Sequence, residues 1–457
     1  MALAGSFLVP RQAAADVTLA EKDGWSVFIN GRVQTFLNYN RGVGLPRAVL
    51  DGNGADVDLL QGGQGTGDAP VELPTMAAAD DEGKVEDLRI RTGFVGNVLG
   101  FGIRKQINDE TDVLAYTAVT VYIDSTARRK YLGVDPDWRE SFMRLTGAWG
   151  SLTAGRTLTL FSRGATEITY LYGFKYGLGW PGSVSSLQGN GPGAGHVGFG
   201  VLGNGFGAGI AYATPSLAGA QLTVGLYDAN NIPGSGTLER TRWPRAEGEL
   251  TYEMKLGNTG MFKLFGNGAW QKIYEAGGPG DQTITGVGYG GRVEVGPVKL
   301  GLAGHFGKGI GLDFALQPHT SGFHPIDKTF RTLDGYYAQL MVSPTTTFDI
   351  SAGAGITRVK RLRQDVEDIN DDDMNPATPA LNDDPNPATV DSVGHIPVKR
   401  QLGLSAGVTF HATDYLHVNL EYFRAMFEWH APSPSAPGTS GPEQNFDVVS
   451  SGITYDW

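Results

Sequence analysis

The sequence predicts an all-β fold, namely a 16-stranded antiparallel transmembrane β-barrel with short turns at one end and long loops at the other. Three observations predict it. Apolar and polar residues alternate with a period of two along most of the chain from Trp25 onward, the pattern of strands with one apolar face. The connections between these segments alternate between short and long. Aromatic residues cluster near the segment ends, as they do at the two interfaces of a membrane barrel.

The composition agrees with a strand-rich chain and excludes several other classes of protein. Glycine contributes 67 of the 457 residues, about twice the usual ~7%, without a collagen-like period. Cysteine is absent, which excludes disulfides, zinc–thiolate sites and cysteine nucleophiles. No stretch approaches the ~18 consecutive apolar residues of a membrane helix, but a barrel needs no such run. The net charge of -12 argues against a nucleic-acid partner, because the phosphates would be repelled.

The first fifteen residues are predicted to lie outside the barrel. Met1–Pro10 is a short apolar run, and Ala13–Ala15 forms an A-x-A pattern compatible with signal-peptidase cleavage before Asp16. An ordinary flexible N-terminus is the alternative. We therefore predict a signal-peptide remnant over 1–15 and a single β-barrel domain over 16–457.

The alternation predicts sixteen strands with unequal connections. The strands are expected at 27–39, 88–107, 112–124, 139–149, 151–158, 205–214, 220–229, 245–254, 261–272, 284–295, 298–308, 332–342, 347–359, 398–410, 415–427 and 445–457. The short turns are rich in Gly, Pro, Asn and Asp, whereas the long connections include 40–87, 159–204 and 360–397. A soluble sandwich or propeller has no reason to keep all its long loops at one end, but an outer-membrane barrel does.

Four segments carry a resemblance to the general porins of Gram-negative bacteria. Leu99–Asp112, Ser141–Arg156 and Ala211–Leu226 resemble strand and turn segments of that family. The chain end resembles its outer-membrane assembly signal, with Ile453, Tyr455 and Trp457 at alternating positions. The chain departs from the family at Trp457, where Phe is usual, and in its long first loop.

The resemblance implies a non-enzymatic, water-filled channel in the outer membrane for passive diffusion of small hydrophilic solutes and ions. Size and charge would be filtered where the third loop folds into the lumen. The resemblance further implies a homotrimer in contact with outer-membrane lipid and lipopolysaccharide, and it implies no cofactor and no metal. A substrate-selective, sugar-type channel with an aromatic constriction and a plugged surface or adhesin barrel are the alternatives.

The resemblance also implies which residues form the constriction. The wall candidates are Arg32, Arg89, Arg91, Arg104, Arg144 and Arg156, and the loop candidates are Arg163, Glu167, Lys175 and Trp180. Alternate residues of a strand face the same side, and this parity places Arg32 and Arg144 inward. The facing of Arg104 and Arg156 is not decided by parity, because the alternating pattern shifts near Gly93–Gly102. Simple pairing with wall carboxylates is the alternative role of these arginines.

The charges of the third loop set the expected selectivity. Glu167 is its single carboxylate, whereas Arg163 and Lys175 are its two cations. A constriction that is neutral to mildly anion-attracting is therefore expected, despite the acidic whole chain.

A glycine-rich motif proves uninformative about chemistry. Gly286–Gly291 matches GxGxxG, but it lies within an alternating strand rather than at a strand-to-helix turn. We therefore expect these glycines to thin the wall rather than to bind phosphate.

Overall fold

The computed structural model describes most of the chain between residues 16 and 457. The described ranges are 16–43, 84–93, 96–121, 137–168, 196–229, 242–257, 259–274, 280–312, 315–316, 329–362, 398–430 and 443–457. Within them lie eighteen β-strands and one short helix.

The strands follow the alternating segments of the sequence. Their bounds are β1 Val17–Lys22, β2 Trp25–Val43, β3 Lys84–Arg91, β4 Asn97–Asn108, β5 Thr111–Val121, β6 Asp137–Gly147, β7 Gly150–Leu158, β8 Phe206–Ala213, β9 Ala220–Tyr227, β10 Arg245–Leu256, β11 Gly260–Ile273, β12 Gln282–Val295, β13 Val298–Lys308, β14 Thr332–Val342, β15 Phe348–Lys360, β16 Val398–His411, β17 Leu416–Trp429 and β18 Glu443–Asp456. The helix α1 spans Arg163–Ile168.

These strands close into an antiparallel barrel with sixteen wall positions, which confirms the predicted fold class. β18 pairs with β2, and this pairing closes the ring. β3 and β4 share one wall position, because β3 pairs with the second half of β2 and β4 with the first half. β1 pairs with the start of β2 just beyond the end of β18, where Trp457 exchanges backbone hydrogen bonds with Gly31. The last and the first strand therefore lie end to end.

A local turn explains why the predicted strand 88–107 is interrupted. The amide of Gly96, whose φ is 77°, donates to Gly93 O at 2.9 Å. The neighbouring β2 keeps its hydrogen bonds there through side chains: Gln34 N donates to Asn97 Oδ1 at 2.7 Å, and Gln34 Nε2 donates to Gly96 O at 2.9 Å. The break is thus compensated rather than left as unpaired backbone.

The two ends of the barrel differ as the sequence predicts. Tight connections such as Asn108–Thr111 and the turn at Gly296, whose φ is 55°, lie at one end. The strand ends that are joined by the long connections 44–83, 159–205 and 361–397 lie at the other end.

Successive side chains along each strand face alternately the outside and the lumen of the barrel. Outward positions carry exposed apolar residues such as Leu250, Leu302 and Leu420, whereas inward positions carry buried polar residues such as Gln271 and Gln401. Apolar packing in the lumen occurs where other parts of the chain meet the wall, as in the buried cluster of Ala165, Val197, Val201, Phe265, Ala303 and Tyr337. Within the described ranges, no helix is long and apolar enough to cross a membrane.

Candidate functional site in the barrel lumen

Three of the predicted wall arginines lie on the inward face of the barrel. Arg32 on β2 binds Asp456 with its Nε 2.7 Å from Oδ1. Arg104 on β4 has the parity of the inward-facing Gly100 and Gly102, and its Nη1 lies 3.0 Å from Asp16 Oδ2. Arg144 on β6 donates from Nε to Thr153 Oγ1 at 3.0 Å. All three arginines therefore face the lumen, and Arg32 and Arg104 also bind a carboxylate. Their role in a constriction stays a prediction.

Arg89 and Arg91 can be placed by register alone. Their Cα partners on β2 are Asn38 and Phe36, and both partners occupy inward positions. Their side chains lie outside the described part of the structure. Their role in the lumen wall stays a prediction.

The structure corrects the expectation for Arg156. This residue is exposed and shares its parity on β7 with Leu152 and Ala154. Its register partners are Ser141 on β6 and Ala208 on β8, both on the outer surface. The register from Gly147–Gly150 to Ser141–Arg156 is continuous, so no bulge turns Arg156 inward. Arg156 therefore belongs to the outer wall and not to the lumen.

Three aromatic residues that were not predicted from the sequence lie among the inward arginines. Phe28, Tyr116 and Phe142 occupy one row on β2, β5 and β6. Ring centroids are 6.5 Å apart for Phe28 and Tyr116 and 5.6 Å for Tyr116 and Phe142. The Tyr116 hydroxyl donates to Asn30 Oδ1 at 2.9 Å. Their parity with Asn30 and Arg144 was the signal in the sequence that could have identified them.

The first part of the segment between β7 and β8 is anchored to β10. Glu247 accepts hydrogen bonds from the amides of Leu160 at 2.7 Å and Phe161 at 2.8 Å, and Arg245 donates from Nε to its other oxygen at 2.6 Å. Arg163, at the start of α1, donates from Nε to Glu249 at 3.0 Å. Both ion pairs are buried, so the attraction is little screened by water. An R-x-E-x-E pattern on one face of a strand is the sequence signal for this anchor.

The last part of the same segment packs against the strands β14 to β17. His196 Nε2 lies 2.6 Å from Ser405 Oγ, and the Gly200 amide donates to Thr357 Oγ1 at 2.9 Å. Phe199 packs edge-on against Phe423 and Phe427, with centroids 5.2 and 5.4 Å away. Burial lowers the pKa of His196 from 6.5 to about 3, so this imidazole is neutral in its pocket.

Glycines in the wall make room for these contacts. A Cβ at Gly286 would lie 2.3 Å from Phe161 Cζ. The docked segment has a glycine of its own at such a contact, because a Cβ at Gly200, where φ is +91°, would lie 2.1 Å from Tyr336 O. The prediction that the glycines of β12 thin the wall is confirmed for Gly286, which accommodates the ring of Phe161.

The remaining predicted site residues are placed only in part. Glu167 belongs to α1, but its side chain lies outside the described residues, as do Lys175 and Trp180 entirely. Ile453, Tyr455 and Trp457 share the outward parity of β18, and Trp457 lies over Gly31. Among the described residues, no group of three or more His, Asp or Glu side chains could hold a metal ion.

Comparison with known proteins supports the fold. The outer membrane channel DcaP of Acinetobacter baumannii has 12% sequence identity and a TM-score of 0.60, with 96% of this chain and 99% of that chain covered. The anion-selective porin from Comamonas acidovorans has 13% identity and a TM-score of 0.53, with 95% and 100% covered. No family model matches the sequence, and no curated protein matches it. The chain thus has the 16-stranded barrel fold of Gram-negative outer-membrane porins.

Glu247→Gln is expected to loosen the anchored segment. Removing one partner of a buried ion pair leaves the other charge uncompensated, which costs about 3–5 kcal/mol. Tryptic cleavage after Arg163 should therefore accelerate at least about tenfold, since cleavage follows the population of the undocked state. The control is Glu253→Gln on the same strand, where the side chain is exposed. Equal cleavage rates in the two variants would contradict the anchoring role of Glu247.

Docking of residues 196–204 is expected to weaken in acid because of His196. Its pKa is lower in the docked state than in the undocked state, so the undocked state binds the additional proton. Docking is fully favourable above about pH 6.5 and weakens as the pH falls toward 3. Hydrogen exchange of residues 196–204 in the wild type should speed up relative to His196→Gln at each pH below 6.5. A constant ratio across this range would refute the assignment.

Proposed function

We propose that this protein forms a water-filled channel in the outer membrane of a Gram-negative bacterium, through which small hydrophilic solutes and ions diffuse passively. The observation that supports this proposal is that the two sides of the lumen differ. The described parts of the third long connection dock against β10 to β17, whereas inward residues on β5 to β7, such as Tyr116, Arg144 and Thr153, stay half-buried. A polar, partly exposed wall opposite a docked segment is the arrangement of a narrowed aqueous pore.

We further propose that the arginines of this wall filter ions by charge. Arg104 and Arg144 are fixed cations on the half-exposed side, with Asp16 and Glu140 nearby. Such a mixture makes the constriction neutral to mildly anion-attracting. A protein of the same fold is described as an anion-selective porin, which is compatible with this sign.

The two alternative functions have less support. In a sugar-selective channel, the aromatic residues of the third long connection would stack on the solute. The ring of Phe161 is fully buried against the wall at Gly286 and offers no such face. The further aromatic residues of that connection, from Tyr170 to Trp180, lie outside the described residues. A barrel with a plugged lumen would conduct neither ions nor solutes, whereas an open pore would.

Liposome swelling and bilayer recordings test the channel and its filter. Purified protein in liposomes should admit small sugars, whereas a plugged barrel admits none. In a salt gradient, the reversal potential should indicate weak anion preference, and Arg104→Gln together with Arg144→Gln should shift it toward cations. The control is Arg358→Gln, because Arg358 lies on the outer surface beside Asp334. Strong cation selectivity of the wild type would overturn the filter.

We also propose that the protein assembles as a homotrimer whose contact includes the outer surface around Arg156. A charged side chain that faces lipid near the bilayer midplane costs about 2–4 kcal/mol. Its outward neighbours Ser141, Ala154 and Ala208 are small and therefore permit close approach of a second surface. A partner subunit would remove Arg156 from lipid and supply polar atoms to it.

Arg156→Ala is expected to weaken the trimer. The fraction of trimer that survives mild detergent and heat should fall relative to wild type, as read by native electrophoresis. Arg358→Ala is the matched control, since Arg358 is also an exposed outward arginine but lies on the distant β15. If both variants retain the wild-type trimer, the Arg156 surface is not a subunit contact.

Two smaller proposals concern the surroundings of the barrel. Outward ion pairs at the long-loop end, between Arg358 and Asp334 and between Arg400 and Glu428, would suit the headgroup layer and its lipopolysaccharide phosphates. Residues 1–15 lie outside the described residues and remain proposed as a signal-peptide remnant. Cleavage before Asp16 would keep the contact between Asp16 and Arg104.

A further inference from the structure

Each of the two filter arginines lies over an aromatic ring of the lumen wall. The guanidinium carbon of Arg104 is 4.7 Å from the ring centroid of Phe28, and that of Arg144 is 5.0 Å from the ring centroid of Phe142. Both distances are within the ~6 Å at which a cation is attracted by a ring face. A similar contact, at 5.5 Å, joins Arg245 to Tyr227.

These rings belong to one continuous row across the wall. Neighbouring register positions run through Phe28, Gly102, Tyr116, Phe142, Gly155, Gly209 and Tyr227. The arginines Arg104 and Arg144 occupy the adjacent inward row, two residues further along β4 and β6. The contacts between the rows therefore follow from the register of the sheet.

The glycines of this row are required by the rings. A Cβ at Gly102 would lie 1.9 Å from Phe28 Cζ, and one at Gly209 would lie 2.5 Å from Tyr227 Cδ1. In the inward row on the other side, two residues before Gly102, a Cβ at Gly100 would lie 2.2 Å from the Tyr116 hydroxyl. The rings thus occupy space that a side chain on the neighbouring strand would take, and this space fixes where they lie.

A guanidinium that stacks on a ring keeps its N–H edges for polar partners, here Asp16 for Arg104 Nη1 and Thr153 for Arg144 Nε, each at 3.0 Å. Stacking uses the face of the planar group, whereas hydrogen bonds to an anion use its edge. A free arginine side chain on the same wall would sample many rotamers and could turn toward a neighbouring carboxylate. For Arg144 that carboxylate is Glu140, which lies on the same inward face of β6.

We propose that Phe28 and Phe142 are positioning residues for ion selectivity: their rings hold Arg104 and Arg144 against the lumen wall with their charges presented to passing ions. This inference rests on the proposed channel function and its charge filter. Tyr227 has a different role, because Arg245 is buried and bound to Glu247, which anchors the third long connection. The ring contacts of Phe28 and Phe142 are the ones that bear on passing ions.

The test replaces the rings and leaves every charge in place. In bilayer recordings with a KCl gradient, Phe142→Leu and Phe28→Leu should each lower the anion-to-cation permeability ratio about two- to fivefold, the size expected from one cation–π contact. Phe142→Tyr and Phe28→Tyr should retain the wild-type ratio, because the ring face is kept. Phe306→Leu is the matched control, since Phe306 is an exposed ring on the outer surface.

Three additional measurements separate positioning from a general structural effect. Phe142→Met conserves volume better than leucine, so it provides a second ring-free variant if Phe142→Leu assembles poorly. In the background of Arg144→Gln, the effect of Phe142→Leu on the permeability ratio should vanish, because the group that the ring positions is gone. Single-channel conductance in symmetric salt should stay close to wild type in all ring variants.

The outcomes distinguish this inference from the proposed function. If Arg104→Gln and Arg144→Gln shift the ratio but the ring-free variants do not, the positioning role is overturned and the charge filter stands. If the arginine variants also leave the ratio unchanged, the filter itself fails together with the inference. Equal effects of Phe142→Leu with and without Arg144 would also overturn it, because the ring would then act on the pore by another route.

Discussion

The closure of backbone hydrogen bonds into a ring is the constraint on which the rest of this molecule depends. Unpaired N–H and C=O groups are costly where water is absent, so a sheet can cross a bilayer only without edges. β18 meets this requirement by pairing with β2, and β1 completes the wall where β18 ends. Once the ring is closed, every side chain faces either the lumen or the outside, and its parity decides which. The positions of the arginines are consequences of this assignment.

Parity explains both what the sequence could predict and where it failed. The inward positions of Arg32 and Arg144 follow from alternation with exposed neighbours, and the structure agrees. Arg156 could not be placed in the same way, since β7 is short and its residues are small, with Gly155 beside Ala154. Such a strand has little contrast between its two faces. The break between β3 and β4 was hidden for a different reason, because side chains of Gln34 and Asn97 replace the backbone pairing there.

Contacts between distant parts of the chain were beyond the sequence analysis. Glu247 and Glu249 have the parity of lumen residues, but nothing in the local pattern reveals that they meet Leu160 and Arg163, more than eighty residues away in the chain. These contacts also show why the net charge of the chain does not predict the charge of the lumen. The Glu247 carboxylate accepts hydrogen bonds from two backbone amides and from Arg245, so its charge holds the anchored segment rather than attracting ions in the lumen. Hence a chain of net charge -12 can still present Arg104 and Arg144 on the inward face of β4 and β6.

Glycine connects the composition of the chain to the shape of its lumen. In a wall of alternating side chains, an inward glycine leaves a gap that a bulky group on a neighbouring strand or loop can enter. Phe28 enters the gap at Gly102, and Phe161 enters the one at Gly286. The first gap lets a ring lie beneath an arginine, and the second lets the third long connection approach the wall. A glycine-rich wall therefore does not give the lumen a uniform surface. Its gaps let a few large side chains fix where an arginine or a loop segment lies against the wall.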